Sequence, residues 1–323
     1  MLNAQHTFEV IVRGIAYQAC GVLAFELRLR DEGELPPFTA GAHIDLVLPG
    51  AMVRSYSLVN SQNERHRYVI AVGRDPASRG GSRYLHDTLR VGDSLQIGRP
   101  RNNFCLDESA RRSVFIAGGI GITPILSMIR RLEDLGGPWT LHYATRGRDS
   151  AAYLQDVFDL ARGRPECLQT HFDDEQPGQL LGIQSIIDNA APEAHLYCCG
   201  PAPMLRAFEH ATSAWPSRQV HIEYFSSKEP PSTTGGFDVV LARSGRTIFI
   251  PPGTTILEKL ISEKVDLAFS CKEGTCGTCE VRVLGGIPDH RDVVLSDAEK
   301  EANKSMMICC SGAKTAKLIL DIE

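Results

Sequence analysis

At 323 residues, 43% apolar and 23% charged, the chain has a globular composition and is long enough for two or three domains. A formal charge of −5 excludes a surface built to neutralise a phosphate backbone, so no nucleic-acid partner is expected, and Arg111-Arg112 and Arg130-Arg131 read as solvated faces. No apolar run approaches the roughly 18–20 residues that span a bilayer, and Met1-Leu2-Asn3-Ala4-Gln5-His6 has no basic segment followed by an apolar core. A cytoplasmic, monomeric protein with no membrane partner is expected. The ten cysteines are not needed as disulfides in a chain that can build its own core, which points to a reducing compartment.

In residues 1–106 the short runs Phe8–Val12, Ala24–Leu29, His43–Leu48, Arg67–Val72 and Ser94–Ile97 alternate apolar and polar residues between turns such as Pro36-Pro37, Pro49-Gly50 and Val91-Gly92-Asp93. Strands at this spacing predict a small antiparallel β-barrel, with Ser82–Leu89 as its helix. Within it, Arg54-Ser55-Tyr56-Ser57 would set a cation and a phenol on one face of a strand and two hydroxyls on the other. Ser78-Arg79-Gly80-Gly81-Ser82-Arg83 is a glycine-rich turn entering a helix. There backbone amides, the helix N-terminus and Arg79 or Arg83 can converge on a phosphate.

Residues 107–229 change character. Ser113–Ala117 is a short apolar run typical of a buried parallel strand, followed by Gly118-Gly119-Ile120-Gly121-Ile122-Thr123-Pro124 and a helical pattern through Leu132. Thr123 suits an N-cap and Pro124 the first helical position. The spacing G-x-G-x-x-P is not the Rossmann G-x-G-x-x-G, so that fingerprint is absent. Trp139–Ala144 is a second strand, and His195–Cys199 a third that ends at Gly200-Pro201 before another helix. The alternation predicts an α/β doubly wound parallel sheet with ligands at the carboxyl strand ends. Arg146 and Arg148 follow the second strand and could meet a phosphate, whereas Asp173 and Asp174 would repel one. Neither these segments nor His6, His66, His86, His142, His171, His195, His210 and His290 show a ligand-spaced histidine cluster.

The polar, Pro- and Gly-rich stretch from Ser226 to Gly236 predicts an interdomain linker, taken as residues 230–236. In residues 237–323, Phe237–Leu241, Thr247–Ile250 and Glu280–Leu284 read as strands and Thr255–Glu263 as a helix. Between them lies Cys271-x4-Cys276-x2-Cys279, with Cys309 and Cys310 after 29 intervening residues, 280 to 308. This is the plant-type [2Fe-2S] spacing, in which four thiolates hold two irons. Zinc also binds clustered cysteines, but its knuckles pair C-x2-C with a second close pair, which is missing here. Gly274 and Gly277 let the loop curl its amides inward. One of Cys309 and Cys310 supplies the fourth thiolate; if Met306–Ser311 is extended, the two point to opposite faces.

The R-x-Y-S strand with its G-G-S helix start, and the G-G-x-G-x-T-P and C-G-P-x-x-M turns, resemble the flavin and nicotinamide domains of the ferredoxin–NADP reductase superfamily. The cysteine segment is similar to the ferredoxin domain of the phthalate dioxygenase reductase and vanillate O-demethylase reductase family, which joins the three modules in this order. The resemblance covers nearly all of the chain. It implies a multidomain fold, with an antiparallel β-barrel flavin domain, a nucleotide domain and an α+β ferredoxin-like (β-grasp) domain. It also implies FMN, NADH and a [2Fe-2S] cluster as cofactors, and a Rieske-type oxygenase as partner. For flavin it implies Arg54, Ser55, Tyr56, Ser57, Ala71 and Gly73, with Arg79, Gly80, Gly81 and Ser82 at the phosphate and Phe225 against the ring. For the nucleotide it implies Gly119, Gly121, Thr123, Cys199 and Gly200. Ser57, Thr123 and Cys199 are the expected catalytic positions, and Cys271, Cys276, Cys279 and Cys309 the expected iron ligands. Cys198 has no counterpart in the pattern.

Overall fold

The structure, a computed structural model, describes residues 7–323. The expectation about Met1–His6 lies outside the described residues. By its contacts the chain divides into two units, Thr7–Glu223 and Tyr224–Glu323.

The first unit begins with six strands: β1 (Thr7–Ala19), β2 (Val22–Arg28), β3 (His43–Leu48), β4 (Met52–Ser57), β5 (Tyr68–Gly73) and, after helix α1 (Gly81–Asp87), β6 (Ser94–Gly98). Their order is β4-β3-β6-β1-β2-β5, all antiparallel, and a bridge between Leu58 and Ile70 closes the ring. Closure removes the edges that an open sheet would expose. Alternation fills the interior with Val10, Val12, Phe25, Leu27, Ile44, Leu46, Ile70, Val72 and Ile97. On β3 the other face, His43 and Asp45, is also buried.

The parallel sheet follows with β7 (Ser113–Gly118), α2 (Ile122–Leu135), β8 (Trp139–Thr145), α3 (Leu154–Leu160), β9 (Leu168–Phe172), α4 (Ile183–Asp188), β10 (His195–Cys199), α5 (Ala202–Ala211) and β11 (Val220–Glu223). The order β11-β10-β7-β8-β9 reverses direction between β10 and β7. Every residue of β7 is buried, as a strand covered on both faces requires. The barrel and this sheet share one core: Val59, Ala71 and Phe104 pack with Phe115, Ile122, Met128 and Tyr197. The contact is close enough that a Cβ on Gly41 (φ 91°) would overlap the Phe104 carbonyl and stand 2.7 Å from Met128 Cε. Ser127 Oγ on α2 also donates to the Asn60 carbonyl at 3.3 Å.

The second unit contains β12 (Phe237–Leu241), β13 (Thr247–Ile250), α6 (Ile256–Ser262), β14 (Glu280–Gly285), β15 (Pro288–Asp289), α7 (Asp297–Ala302), β16 (Ser305–Met307), β17 (Gly312–Ala313) and β18 (Lys317–Leu320). Its main sheet has the order β13-β12-β18-β14-β16, with β12 and β18 parallel. Thr255 and Glu258 form a reciprocal capping box that starts α6, and Ser296 and Glu299 do the same for α7. The stretch expected to be a linker is bound to this unit. Ser232 N donates to the Cys310 carbonyl at 2.7 Å, Gly253 N to the Thr233 carbonyl at 2.8 Å and Gly236 N to the Ile250 carbonyl at 2.8 Å. Pro230-Pro231 has little backbone freedom to lose, so bonds worth about 1 kcal/mol each can hold a segment whose composition reads as loose.

Candidate functional site

Residues of β4 face two different partners. Arg54 lies against the start of α1: a Cβ on Gly81 would stand 2.8 Å from Arg54 Cγ, and one on Gly80 2.7 Å from Met52 Cε. Gly80 also has φ 106°, where L side chains are strained, so both glycines are needed to seat the helix start on this strand. Ser55 Oγ, on the opposite face, donates to Asp45 Oδ1 at 2.7 Å, while Arg101 holds Asp45 Oδ2 at 2.8 Å. Asp45, buried, fixes the strand from behind. Burial pushes the Tyr56 phenol up to about 12, against the pull of Arg54, so it remains a hydrogen-bond donor at neutral pH. Ser57, buried, ends the strand opposite His43.

The turn before α1 is organised by Ser78, whose Oγ accepts the amides of Gly80 at 3.2 Å and Arg83 at 3.3 Å and lies 3.0 Å from Ser82 Oγ. Arg79 is exposed. Ala71 is buried near the end of β5, and a Cβ on Gly73 would meet Ile120 Cβ at 3.9 Å. The end of the barrel strand therefore abuts the glycine loop of the parallel sheet.

At the reversal point, three glycines exist for close approach. A Cβ on Gly118 would stand 2.5 Å from Pro201 Cδ, one on Gly200 2.6 Å from Met204 Sδ, and one on Gly121 would overlap the Cys199 carbonyl. Gly119, by contrast, has φ 53° and would meet nothing within 4 Å, so it serves the turn and leaves open space beside it. Tyr143 Oη lies 3.3 Å from the Gly119 carbonyl and 3.0 Å from that of Ala152. The loop is a single 3-10 turn, Gly119–Gly121, that runs directly into α2. The N-cap is consequently Gly121, not Thr123, and Pro124 is not the first helical residue. Thr123, in the first turn and buried, donates its hydroxyl to the Ile120 carbonyl at 3.0 Å. Cys199 is fully buried, and burial, then Glu223 and Cys198, raise its pKa well above the usual range, so it is a neutral thiol.

Beyond the ends of β8 and β9, Gly147, between Arg146 and Arg148, is crowded by two acidic side chains. A Cβ there would overlap Asp174 Oδ2 and stand 3.2 Å from Asp149 Oδ1. Arg148 forks onto Glu175 through Nε and Nη2, and its guanidinium lies 4.4 Å from the centre of the Phe172 ring.

In the second unit Cys271, Cys276, Cys279 and Cys309 are all buried. Cys309 lies within thiol hydrogen-bonding reach of Cys271 and Cys279, and Cys276 within reach of Cys271. Left-handed backbone at Lys272, Gly274 and Gly277 curls the loop around them. Cys309 and Cys310 sit in a turn after β16, not in an extended segment, and their thiols lie within hydrogen-bonding reach of each other. Cys310 Sγ, fully buried, is where a Gly274 Cβ would be crowded, at 2.5 Å. Three buried thiols on a curled loop and a fourth in reach of two of them are a soft donor set that suits a thiolate-held iron–sulfur group.

Two family models match the chain: a 2Fe-2S iron-sulfur cluster binding domain over residues 239–314 and an oxidoreductase NAD-binding domain over residues 115–210. Phenoxybenzoate dioxygenase subunit beta of Ectopseudomonas oleovorans is 54% identical over 96% of each chain. Tetrachlorobenzoquinone reductase of Sphingobium chlorophenolicum is 48% identical over the whole of both. The solved structure of phthalate dioxygenase reductase, described as a modular structure for electron transfer from pyridine nucleotides to [2Fe-2S], is 38% identical over 98% of each chain with a TM-score of 0.75. The chain belongs to the phthalate dioxygenase reductase family.

The reductase is thus an NADH-dependent oxidoreductase with a [2Fe-2S] domain, in the multidomain fold expected from its sequence. Among the described residues no helix is long and apolar enough to cross a membrane. Phe225 belongs to the second unit and is 43% exposed.

Sequence reasoning passed over Glu223. It ends β11 opposite Cys199, and its Oε2 is buried without a hydrogen-bond partner. Burial pushes its carboxyl up to about 8, so it is largely protonated at neutral pH. The available signal was an acid two residues after His221, on the same face of the four-residue closing strand. Because the folded pKa lies above the ordinary 4.5, the associated stability is whole below that value and is lost as pH rises through about 8. Glu223→Gln should therefore gain about 1–3 kcal/mol on the parent between about pH 5.5 and about pH 8.5, read by urea unfolding at both. Parallel stability–pH curves would show that the carboxyl ionises freely.

Proposed function

We propose that the reductase passes electrons from NADH through FMN to its [2Fe-2S] centre and on to a separate Rieske-type oxygenase or demethylase. The observation that carries the reading is the meeting of Gly73, at the end of the barrel strand, with Ile120 in the glycine loop, which brings the flavin and nucleotide candidates to one place. FMN, when bound, accepts a hydride's two electrons together and releases them singly, as a one-electron centre requires.

The chain's own residues hold and orient these groups. Gly80, Gly81 and Ser82 at the α1 N-terminus, with Arg79, take the flavin phosphate, because first-turn amides and the helix dipole favour an anion. Arg54 adds positive charge beside that turn, Tyr56 donates a hydrogen bond, and Ser55, tied to Asp45, keeps the strand in place. Ala71 and Gly73 form the floor. Gly119 and Gly121 give the pyrophosphate room, and Thr123, Cys199 and Gly200 line the nicotinamide side. The neutral Glu223 carboxyl can donate a hydrogen bond there. Asp174, Asp149 and the Glu175-locked Arg148 disfavour a 2′-phosphate, in keeping with NADH. Cys271, Cys276, Cys279 and Cys309 hold the two irons.

Anaerobic mixing with NADH should bleach flavin absorbance and then cluster absorbance, and a Rieske oxygenase added to the mixture should turn over its substrate. A flavin that bleaches over a cluster that stays oxidised would overturn the electron path. Ser57→Ala should slow flavin bleaching by about 10- to 100-fold, the loss expected when one hydrogen-bonding group at a reacting centre is removed, with cluster absorbance unchanged. An unaltered stopped-flow trace would remove Ser57 from the reaction.

The similarity to tetrachlorobenzoquinone reductase supports a second reading, in which a small quinone is the acceptor. Faster turnover with tetrachlorobenzoquinone than with any oxygenase component would favour it.

A further inference from the structure

The segment that joins the two units is anchored beside the proposed iron ligand Cys309. Ser232 is buried, and its amide donates to the Cys310 carbonyl at 2.7 Å. The fit is tight: a Cβ on Gly312 would overlap Ser232 Oγ and stand 2.9 Å from Ser232 Cβ. Arg291 grips both sides of the junction, with Nη1 donating to the Pro230 carbonyl at 3.3 Å, Nε to Asp289 Oδ2 at 3.0 Å and its amide to Ser311 Oγ at 3.3 Å. Cys310 is the shared piece, since its carbonyl takes the strap and its thiol abuts Gly274 in the cysteine loop.

We infer that Ser232, Gly312 and Arg291 are positioning residues for electron transfer, holding residues 230–236 as a docked strap that braces the Cys309-Cys310 turn. The inference rests on the reading of Cys309 as an iron ligand. Two consequences follow for the reaction. Residues 230–236 are withdrawn from the connection, so the second unit is on a shorter tether than its Pro- and Gly-rich sequence suggests. The peptide beside the cluster ligand is also held by a hydrogen bond, and hydrogen bonding around such centres tunes their potential. No group is oxidised or reduced by the strap itself.

The test compares the full-length holoprotein with Gly312→Ala, which pushes the strap off by volume, and Ser232→Pro, which removes the donated N–H while keeping the segment's Pro-rich character. Hydrogen exchange read by mass spectrometry should show the 226–236 peptide protected in the parent and exchanging at least about tenfold faster in both variants. Iron and sulfide content and NADH-driven flavin bleaching should match the parent. Cluster bleaching should slow several-fold, or the cluster midpoint potential should shift. Parental cluster bleaching and potential in variants whose strap has come loose would overturn the inference, as would an unprotected strap in the parent. A parent lacking iron would instead sink the ligand reading on which it stands.

Discussion

Cys309→Ser is expected to abolish the two-iron centre, with loss of stoichiometric iron and sulfide and of the visible cluster absorbance, while NADH still bleaches the flavin. Cys310→Ser should retain the cluster. The difference comes from placement. Cys309 reaches Cys271 and Cys279 as well as Cys310, whereas Cys310 reaches Cys309, faces Gly274 and hydrogen-bonds within its own turn. Leu257 N, in the first turn of α6, donates to the Ile308 carbonyl at 3.0 Å and holds the turn that aims Cys309. A Ser hydroxyl is a poor donor to iron compared with a thiolate, so one such replacement leaves three soft ligands for two metals. At position 310 the same replacement removes only packing volume, for which about 1 kcal/mol is the expected loss. Iron analysis with an absorption spectrum decides the matter, and cluster retention in Cys309→Ser with loss in Cys310→Ser would reverse the assignment.

Gly121→Ala should be the most damaging single-methyl change in the nucleotide half. The added carbon would overlap the Cys199 carbonyl and stand 2.9 Å from Gly200 N, so backbone meets backbone and no side chain can rotate away. Either the turn after β7 or the end of β10 must move. Overpacking of this kind costs about 1–3 kcal/mol, occasionally more, and here the movement displaces the turns proposed to flank NADH. kcat/KM for NADH is expected to fall by at least about 100-fold, the scale on which a displacement near 1 Å acts on a positioned reactant. Gly119→Ala is the control. Its Cβ would meet nothing, so only its φ of 53° resists the change, and Tm and KM should move less. Equal effects of the two would mean that turn conformation, not close approach, decides the loop.

Linear information was enough wherever the physics is local. Alternation in His43–Leu48 and Tyr68–Val72 reports strands because successive side chains face opposite sides, and the unbroken apolar run of β7 reports burial on both faces. The C-x4-C-x2-C spacing likewise names its chemistry, since three thiolates on one short loop need no distant partner to be recognised. At the start of α2, locality was insufficient. Thr123-Pro124 looks like a cap, but the 3-10 turn of Gly119–Gly121 starts the helix earlier.

What only the tertiary structure decided concerns pairs of groups distant along the chain. The carboxyl of Glu223 has its raised pKa because β11 lies beside β10 and water is excluded there, which no neighbour in sequence announces. The proposed choice of Cys309 over Cys310 depends on which thiol the turn brings to Cys271 and Cys279, and the strap of residues 230–236 is held by acceptors up to 78 positions away, as Ser232 N on the Cys310 carbonyl shows. Composition alone makes that stretch a linker because Pro, Gly and Ser bury little apolar surface. Docking through main-chain hydrogen bonds leaves no trace in composition, because every residue except proline carries the same donor and acceptor.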